Sequence, residues 1–317
     1  MHNVFTRAQA IAATAAAATS VAVPAVVRSA TLIPIKVGVA NDEDFAEGYF
    51  AKDKGFFEQA GLDATLTSLS NGGALTAAVV SGALDIVTTN TGSMSTAHAR
   101  GVPLLLLFPA GLHDSTKTTA GMMVLKNSPI QSAKDLNGKK IAITTLNTLY
   151  HVSCRNWIDV NGGDSSLAQF IEIPLSLHLP ALRDGRVDAA AMVEPWVTPA
   201  KAEARILGVP YDSIGKKFMI AGWVTTQDYI TRNPAAVKAF VTAIRQTAEW
   251  ANSHPQEIPP ILARNLKISL EQITGSPRAT MGTVLDPNLI QPVIDAEFKY
   301  KLIPKTFPAP EMFYRTV

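Results

Sequence analysis

The chain has 317 residues, 47% of them apolar, and its 28 basic side chains nearly balance 26 acidic ones. With no basic block and no interleaving of aromatic with basic residues, a nucleic-acid partner is not expected, and the length suits two lobes with a large core. A single cysteine, Cys154, excludes an internal disulfide or a multi-thiolate metal site. In a helical pattern a lone thiol reads as a small buried hydrophobe.

Residues 1–30 differ from the rest. His2 and Arg7 give a weakly positive start, an Ala/Val/Ile-rich run follows from Ala8 to Val27, and small residues up to Ala30 allow cleavage there. This is the pattern of a secretory signal peptide. Pro24 and the Ala/Thr content make it a poor membrane span. No cysteine follows to carry a lipid, and Arg7 is single, so general secretion without a stable membrane anchor is expected. The mature chain then starts near Thr31, outside the cytoplasm.

Leu32–Ala40 reads as a strand ending in an acidic turn, Asn41–Asp44. Phe45–Phe57 reads as one helix, with Phe45, Tyr49, Phe50 and Phe56 for its apolar side, before a second strand at Gly61–Leu66. Ser70–Gly73 is a glycine-rich polar turn opening a helix with Leu75, Ala78 and Val79 on one face, which Gly82 ends. Ile86–Thr89 is a buried strand by its β-branching, with a second polar turn at Asn90–Gly92. The amides at such a helix start favour an anionic or carbonyl-bearing group. Met94–Arg100 and Val102–Phe108 add a helix and a buried strand, completing a β-α-β-α-β lobe.

The polar stretch His113–Thr119 is suited to cross between lobes. A strand at Gly121–Lys126, a helical turn at Ser132–Gly138 and a strand at Lys140–Ile143 follow. The polar turn Thr144–Thr148 then leads into a helix through Trp157, repeating the arrangement at the start of the first lobe. Gly82–Val87 and Gly185–Ala190 share the form Gly-x-apolar-Asp-apolar-apolar, each after an apolar-faced helix. The glycine stops the helix and the aspartate is expected to bond the turn before the next strand. Glu194–Trp196 then corresponds to the Thr89–Thr91 edge, and two such lobes suggest a ligand held between them. Phe218–Thr225 returns the chain to the first lobe, and Asn233 with Pro234 forms a helix start. Val237, Phe240, Val241, Ile244 and Ala248 keep the helical period there. Pro260–Leu266, Leu270–Thr274 and Asn288–Lys301 read as further bracing helices.

From Ile35 to Tyr300 the chain resembles the periplasmic substrate-binding proteins of ABC importers for nitrate, sulfonates, taurine and thiamine-pyrimidine precursors. The segments that carry this are Gly48–Leu62 (GYFAKDKGFFEQAGL), Ser70–Gly73 (SNGG) and Ser81–Asp85 (SGALD). Further matches are Ser128–Ile141 (SPIQSAKDLNGKKI), Asp184–Ala189 (DGRVDA), Glu194–Pro195 and Asn233–Phe240 (NPAAVKAF). The resemblance implies an α/β, type II periplasmic-binding-protein fold: two α/β lobes, a hinge of two crossover strands and an interlobe ligand cleft. It places residues 31–118 and 222–317 in the first lobe and 119–221 in the second.

The same resemblance implies ligand contacts at Asp44 and Phe45, at Ser70, Asn71 and Gly72, and at Thr89, Asn90 and Thr91. From the second lobe it implies Asn147, Thr148, Tyr150, Glu194 and Trp196, with Trp223 on the return strand. No catalytic residue, metal or cofactor is implied. The implied partners are a small-molecule ligand and an ABC transporter permease, with the protein itself a monomer. The turns hold Asp42, Glu43, Asp44 and Glu194 but no Lys or Arg, which favours a neutral or amine-bearing, pyrimidine-like ligand over a sulfonate or an aromatic carboxylate. Two alternatives stand beside this reading. One is an enzyme, since the fold is similar to that of pyrimidine synthases and desulfinases, with Cys154 near His151. The other is a ligand-sensing partner of a membrane receptor.

Overall fold

A computed structural model describes residues 31–117 and 119–315. The expected signal peptide, residues 1–30, lies outside the described residues, and no helix among them is long and apolar enough to cross a membrane.

The chain begins with β1 (Ile33–Ala40), α1 (Glu47–Asp53), α2 (Phe56–Gln59), β2 (Leu62–Leu69), α3 (Gly72–Val80), β3 (Ile86–Asn90), α4 (Thr91–Ala99) and β4 (Leu104–Pro109). It continues with β5 (Gly111–Asp114), β6 (Ala120–Leu125), β7 (Lys140–Ile143), α5 (Leu149–Val160), β8 (Gln169–Glu172), α6 (His178–Arg183), β9 (Ala189–Val193), α7 (Val197–Ala200) and β10 (Ala204–Gly208). Last come β11 (Lys217–Met219), β12 (Ala221–Thr226), α8 (Gln227–Arg232), α9 (Pro234–Ser253), α10 (Ile258–Leu266), α11 (Leu270–Ile273), β13 (Thr280–Met281) and α12 (Gln291–Lys299).

Among the described residues these strands form two five-stranded sheets of order β2-β1-β3-β12-β4 and β10-β6-β9-β7-β8. Read from β8, the second sheet repeats the first. The second strand, β1 or β7, pairs in parallel on both sides, and one antiparallel strand is inserted before the far edge. β3 and β9 occupy equivalent places and are buried along their whole length. The chain leaves the first sheet through β5 and returns through β11. These two strands pair antiparallel, and β13 joins them in a three-stranded hinge sheet.

The sequence echo has a physical counterpart. Asp85 accepts a hydrogen bond from the Lys36 amide at 2.7 Å, and Asp188 accepts one from the Lys140 amide at 2.9 Å. Each aspartate therefore ties the third strand of its sheet to the first, rather than bonding its own turn. Gly82 and Gly185 have φ of 75° and 66°, the left-handed values that end a helix without strain on a Cβ.

Three local expectations need correction. The helix expected over Phe45–Phe57 is broken. A 3₁₀ turn spans Glu43–Phe45, and Gly55, at φ 71°, separates α1 from α2. That break turns Phe57 fully inward, where it stacks on Phe240 at 5.8 Å, and leaves Phe56 half-buried. Asn90–Gly92 is the end of β3 running straight into α4, with the Asn90 side chain capping Ser93 N at 2.7 Å. Asn233 makes no cap for α9, because its side chain turns back to donate to Tyr229 O.

Candidate ligand site between the lobes

A cavity of about 620 Å³ opens between the carboxyl ends of the two sheets. The first lobe supplies Asp42, Asp44 and Phe45 from the turn after β1, Ser70–Gly72 from the start of α3, and Asn90. The second lobe supplies Thr144 and Thr145 after β7, Thr148 and Tyr150 at the start of α5, and Trp196. Nine of the sequence-derived candidates are thus brought together: Asp44, Phe45, Ser70, Asn71, Gly72, Asn90, Thr148, Tyr150 and Trp196.

The local chemistry explains their placement. Asn71 caps α3 by accepting from Ala74 N at 3.0 Å, which presents the first turn of the helix to the cavity. A Cβ on Gly72 would lie 2.7 Å from Asn90 Nδ2 and 3.1 Å from Asn90 N, so only glycine lets α3 approach the end of β3 this closely. Tyr150 is anchored by donating to Met192 O at 2.7 Å, and its ring packs 4.7 Å from that of Tyr211. Two aromatic faces therefore line one wall.

The other five candidates lie off the cavity, each for a visible reason. Trp223 is fully buried in the first lobe, donating from Nε1 to Glu47 at 2.6 Å and packing edge-on to Phe240 at 5.0 Å. Glu194 is buried, and both its oxygens accept from Thr198, at 3.1 Å from the amide and 2.7 Å from the hydroxyl, which starts α7. Thr89 bonds Gly72 O at 3.1 Å behind the α3 turn. Thr91 donates to Met219 O at 2.6 Å and so ties α4 to the hinge. Asn147 is exposed in the left-handed region at φ 57°, its amide donating to His151 Nδ1 at 3.0 Å.

Some lining residues carried no local signal. Glu172 ends β8, a four-residue strand whose Gln-Phe-Ile-Glu sequence does not alternate, and Ile173–Ser176 follow it. Tyr211 reaches the cavity from a 3₁₀ turn before β11. Leu266–Ile268 arrive from the end of α10, where Lys267 holds φ 56°. Lys267 corrects the expectation of a wall without Lys or Arg.

The first-lobe wall is nonetheless acidic. Burial pushes Asp42 up to about 7, and it raises Asp44 as well, with repulsion from Asp42 and Glu43 adding to it. Asp42 Oδ1 and Asp44 Oδ1 are buried without a hydrogen-bond partner among the described residues. Burial also takes Glu43 to about 7, against the pull of Arg278, whose Nη1 lies 3.3 Å from its carboxylate.

These acids give stability a defined pH dependence. Burial raises Glu47 and Glu297 to about 8, so near neutrality the native chain holds protons that the unfolded chain has released. A raised carboxyl stabilises fully below its unfolded value, and that contribution is lost as pH climbs through its folded value. Buried His151 and His178, lowered to about 4, act oppositely, costing stability as pH falls below about 6.5. The acids therefore dominate from pH 6.5 to 8.5. The thermal midpoint is expected to fall across that window, and to fall less in Glu47→Gln; a flat or rising profile in differential scanning calorimetry would refute this assignment.

A model of the NMT1/THI5-like family matches residues 42–258, more than half of the chain. The chain belongs to the NMT1/THI5-like family. A Brucella abortus protein described as a binding protein is 24% identical over 240 residues, covering 74% of this chain and 72% of its own. A Candida albicans 4-amino-5-hydroxymethyl-2-methylpyrimidine phosphate synthase is also 24% identical, over 66% of this chain and 64% of its own. Among solved structures, the periplasmic aliphatic sulphonate binding protein SsuA of Escherichia coli superposes with TM-score 0.72 at 18% identity, covering 89% of this chain and 97% of its own. A ligand-binding component of an ABC-type import system from Staphylococcus aureus gives 0.75 at 16% identity, covering 89% and 96%. This NMT1/THI5-like chain has the periplasmic-binding-protein fold expected from its sequence: two α/β sheets joined through crossover strands with a cavity between them.

Proposed function

We propose that this protein is the extracytoplasmic solute-binding component of an ABC importer. It captures a small neutral or amine-bearing, pyrimidine-like molecule between its lobes, closes on it and delivers it to a permease. The observation that carries the ligand class is that the carboxyl-bearing turn of Asp42 and Asp44 and an aromatic wall of Tyr150, Tyr211 and Trp196 line the same cavity. An amine or ring N–H of the ligand would pair with that acidic turn, and a flat ring would cover the aromatic faces.

Capture rather than catalysis is supported by the one thiol. Cys154 is fully buried, and burial raises it far above the usual thiol range. Its neighbour His151 already accepts from Asn147 N, and burial lowers that imidazole as well. Neither is available as a nucleophile or base. Cys154→Ala is expected to leave ligand affinity unchanged, with no product formed by either protein on prolonged incubation. Turnover that the substitution abolishes would replace capture with catalysis.

Calorimetric titration with 4-amino-5-hydroxymethyl-2-methylpyrimidine, taurine, ethanesulfonate and benzoate tests the ligand class. Binding of the aminopyrimidine ahead of the three acids is expected. Tight sulfonate binding with no pyrimidine binding would overturn the reading.

A further inference from the structure

The C-terminal helix α12 packs against α4, which follows β3 of the first sheet, and against α5, which follows β7 of the second. Its contacts to the two sides are specific. Toward the first lobe, Glu297 accepts a hydrogen bond from Ser95 of α4. Toward the second, Lys299 donates to Asn156 of α5 at 2.7 Å. Tyr300, the next residue, donates to Asp159 at 2.5 Å, and its ring lies under Arg155 at 4.6 Å.

Glu297 also sits where the two helix starts meet. A Cβ placed on Gly92, in the first turn of α4, would collide with Glu297 Oε1 and come within 2.8 Å of Leu149 N, the first amide of α5. Glu297 is fully buried, and its Oε1 has no hydrogen-bond partner among the described residues. Asn90, the cap of α4, and Thr148 with Leu149, at the start of α5, all line the ligand cavity. The same two helix ends that present cavity groups from opposite lobes thus abut at one buried side chain behind the cavity wall.

We propose that α12 is an interlobe strap, with Glu297 as its pivot and the Lys299–Asn156 and Tyr300–Asp159 bonds as its anchor to the second lobe. The strap sets the resting separation of the lobes, and through it the distance between the cavity groups at the starts of α4 and α5. Glu297 is therefore a positioning residue: it acts on ligand through Asn90 and Thr148. This rests on the reading that the lobes move about the hinge, and it does not depend on which ligand they hold.

The test uses the ligand-free, full-length mature protein with spin labels at Val80→Cys and Leu167→Cys, exposed sites on opposite lobes, since the buried Cys154 does not compete for label. Pulsed dipolar spectroscopy on the otherwise unchanged protein is expected to give one narrow distance peak. Tyr300→Phe combined with Lys299→Met, which alters only the half-exposed anchor, is expected to broaden that peak and move it outward with the thermal midpoint little changed. Glu297→Gln, which keeps the shape of the pivot, is expected to shift the peak as well. An unchanged distribution in the anchor variant overturns the strap, and so does a change that appears only where the midpoint has collapsed. A shifted peak in the anchor variant, together with no binding of any compound in the calorimetric titration, would overturn the ligand class while leaving the strap standing.

Discussion

Trp223→Ala is expected to lower the free energy of unfolding by about 3–5 kcal/mol, the range for removing a large aromatic side chain from a closed core. Trp223 is fully buried on β12, packs edge-on to Phe240 and donates to Glu47. The substitution leaves a void between sheet and helix layers and also removes a hydrogen bond to a buried carboxyl, whose second oxygen has no partner among the described residues. Trp223→Phe separates the two effects. It keeps most of the packing and loses only the N–H donor, for roughly 1–3 kcal/mol. Urea unfolding measures both values. Ligand affinity is expected to be unchanged in Trp223→Phe, because the indole lies in the core of the first lobe and not on the cavity. A loss of affinity there with intact stability would return Trp223 to the site.

Asp44→Asn is expected to act in the opposite pattern. Affinity for the tightest-binding compound of the titration panel should fall about 100-fold, or roughly 2.7 kcal/mol, the scale for leaving a ligand donor unsatisfied in a desolvated site. Stability should rise at the same time. Asp44 is buried beside Asp42 and Glu43, and replacing one of three crowded carboxyls with an amide relieves desolvation and repulsion together. Weaker binding in a more stable protein is hard to produce by a general structural defect. A variant that loses stability and keeps its affinity would make Asp44 a structural residue and remove the main support for an amine-bearing ligand.

How far the sequence disclosed this architecture depends on the range over which each feature is encoded. Strand–helix alternation and the Gly-x-apolar-Asp echo are local, and β1–β4, β6, β7 and β9 formed where the pattern placed them. By contrast, β8 and β10 were not foreseen, and the strand expected at Phe218–Thr225 divides into β11 and β12. The echo carried even the equivalence of β3 and β9, although its aspartates turned out to hold the neighbouring strand. Site residues at strand ends and helix starts, such as Asn71, Gly72 and Thr148, were legible because open α/β sheets bind ligands there and because caps and glycines mark such places. Trp223 and Glu194 were misplaced for one shared reason. Period and composition show that a residue stands in a strand or at its end, but not which side of the strand faces the cleft, and an aromatic or acidic side chain fits either side. Lys267, Tyr211 and the segment Glu172–Ser176 reach the cavity only through the docking of distant elements, and nothing in their immediate sequence marks them. Splitting the first helix at Gly55 was a matter of one left-handed glycine within an otherwise helical period.

The cavity is expected to hold a small nitrogen-bearing molecule against the turn of Asp42 and Asp44. Native mass spectrometry of the protein purified from its own source, with the released ligand identified by fragmentation, tests it most directly. The expected result is a one-to-one adduct of a neutral or basic nitrogen heterocycle, depleted in Asp44→Asn prepared alongside. A stoichiometric sulfonate or other permanently anionic compound in the cleft, retained by Asp44→Asn, would contradict it.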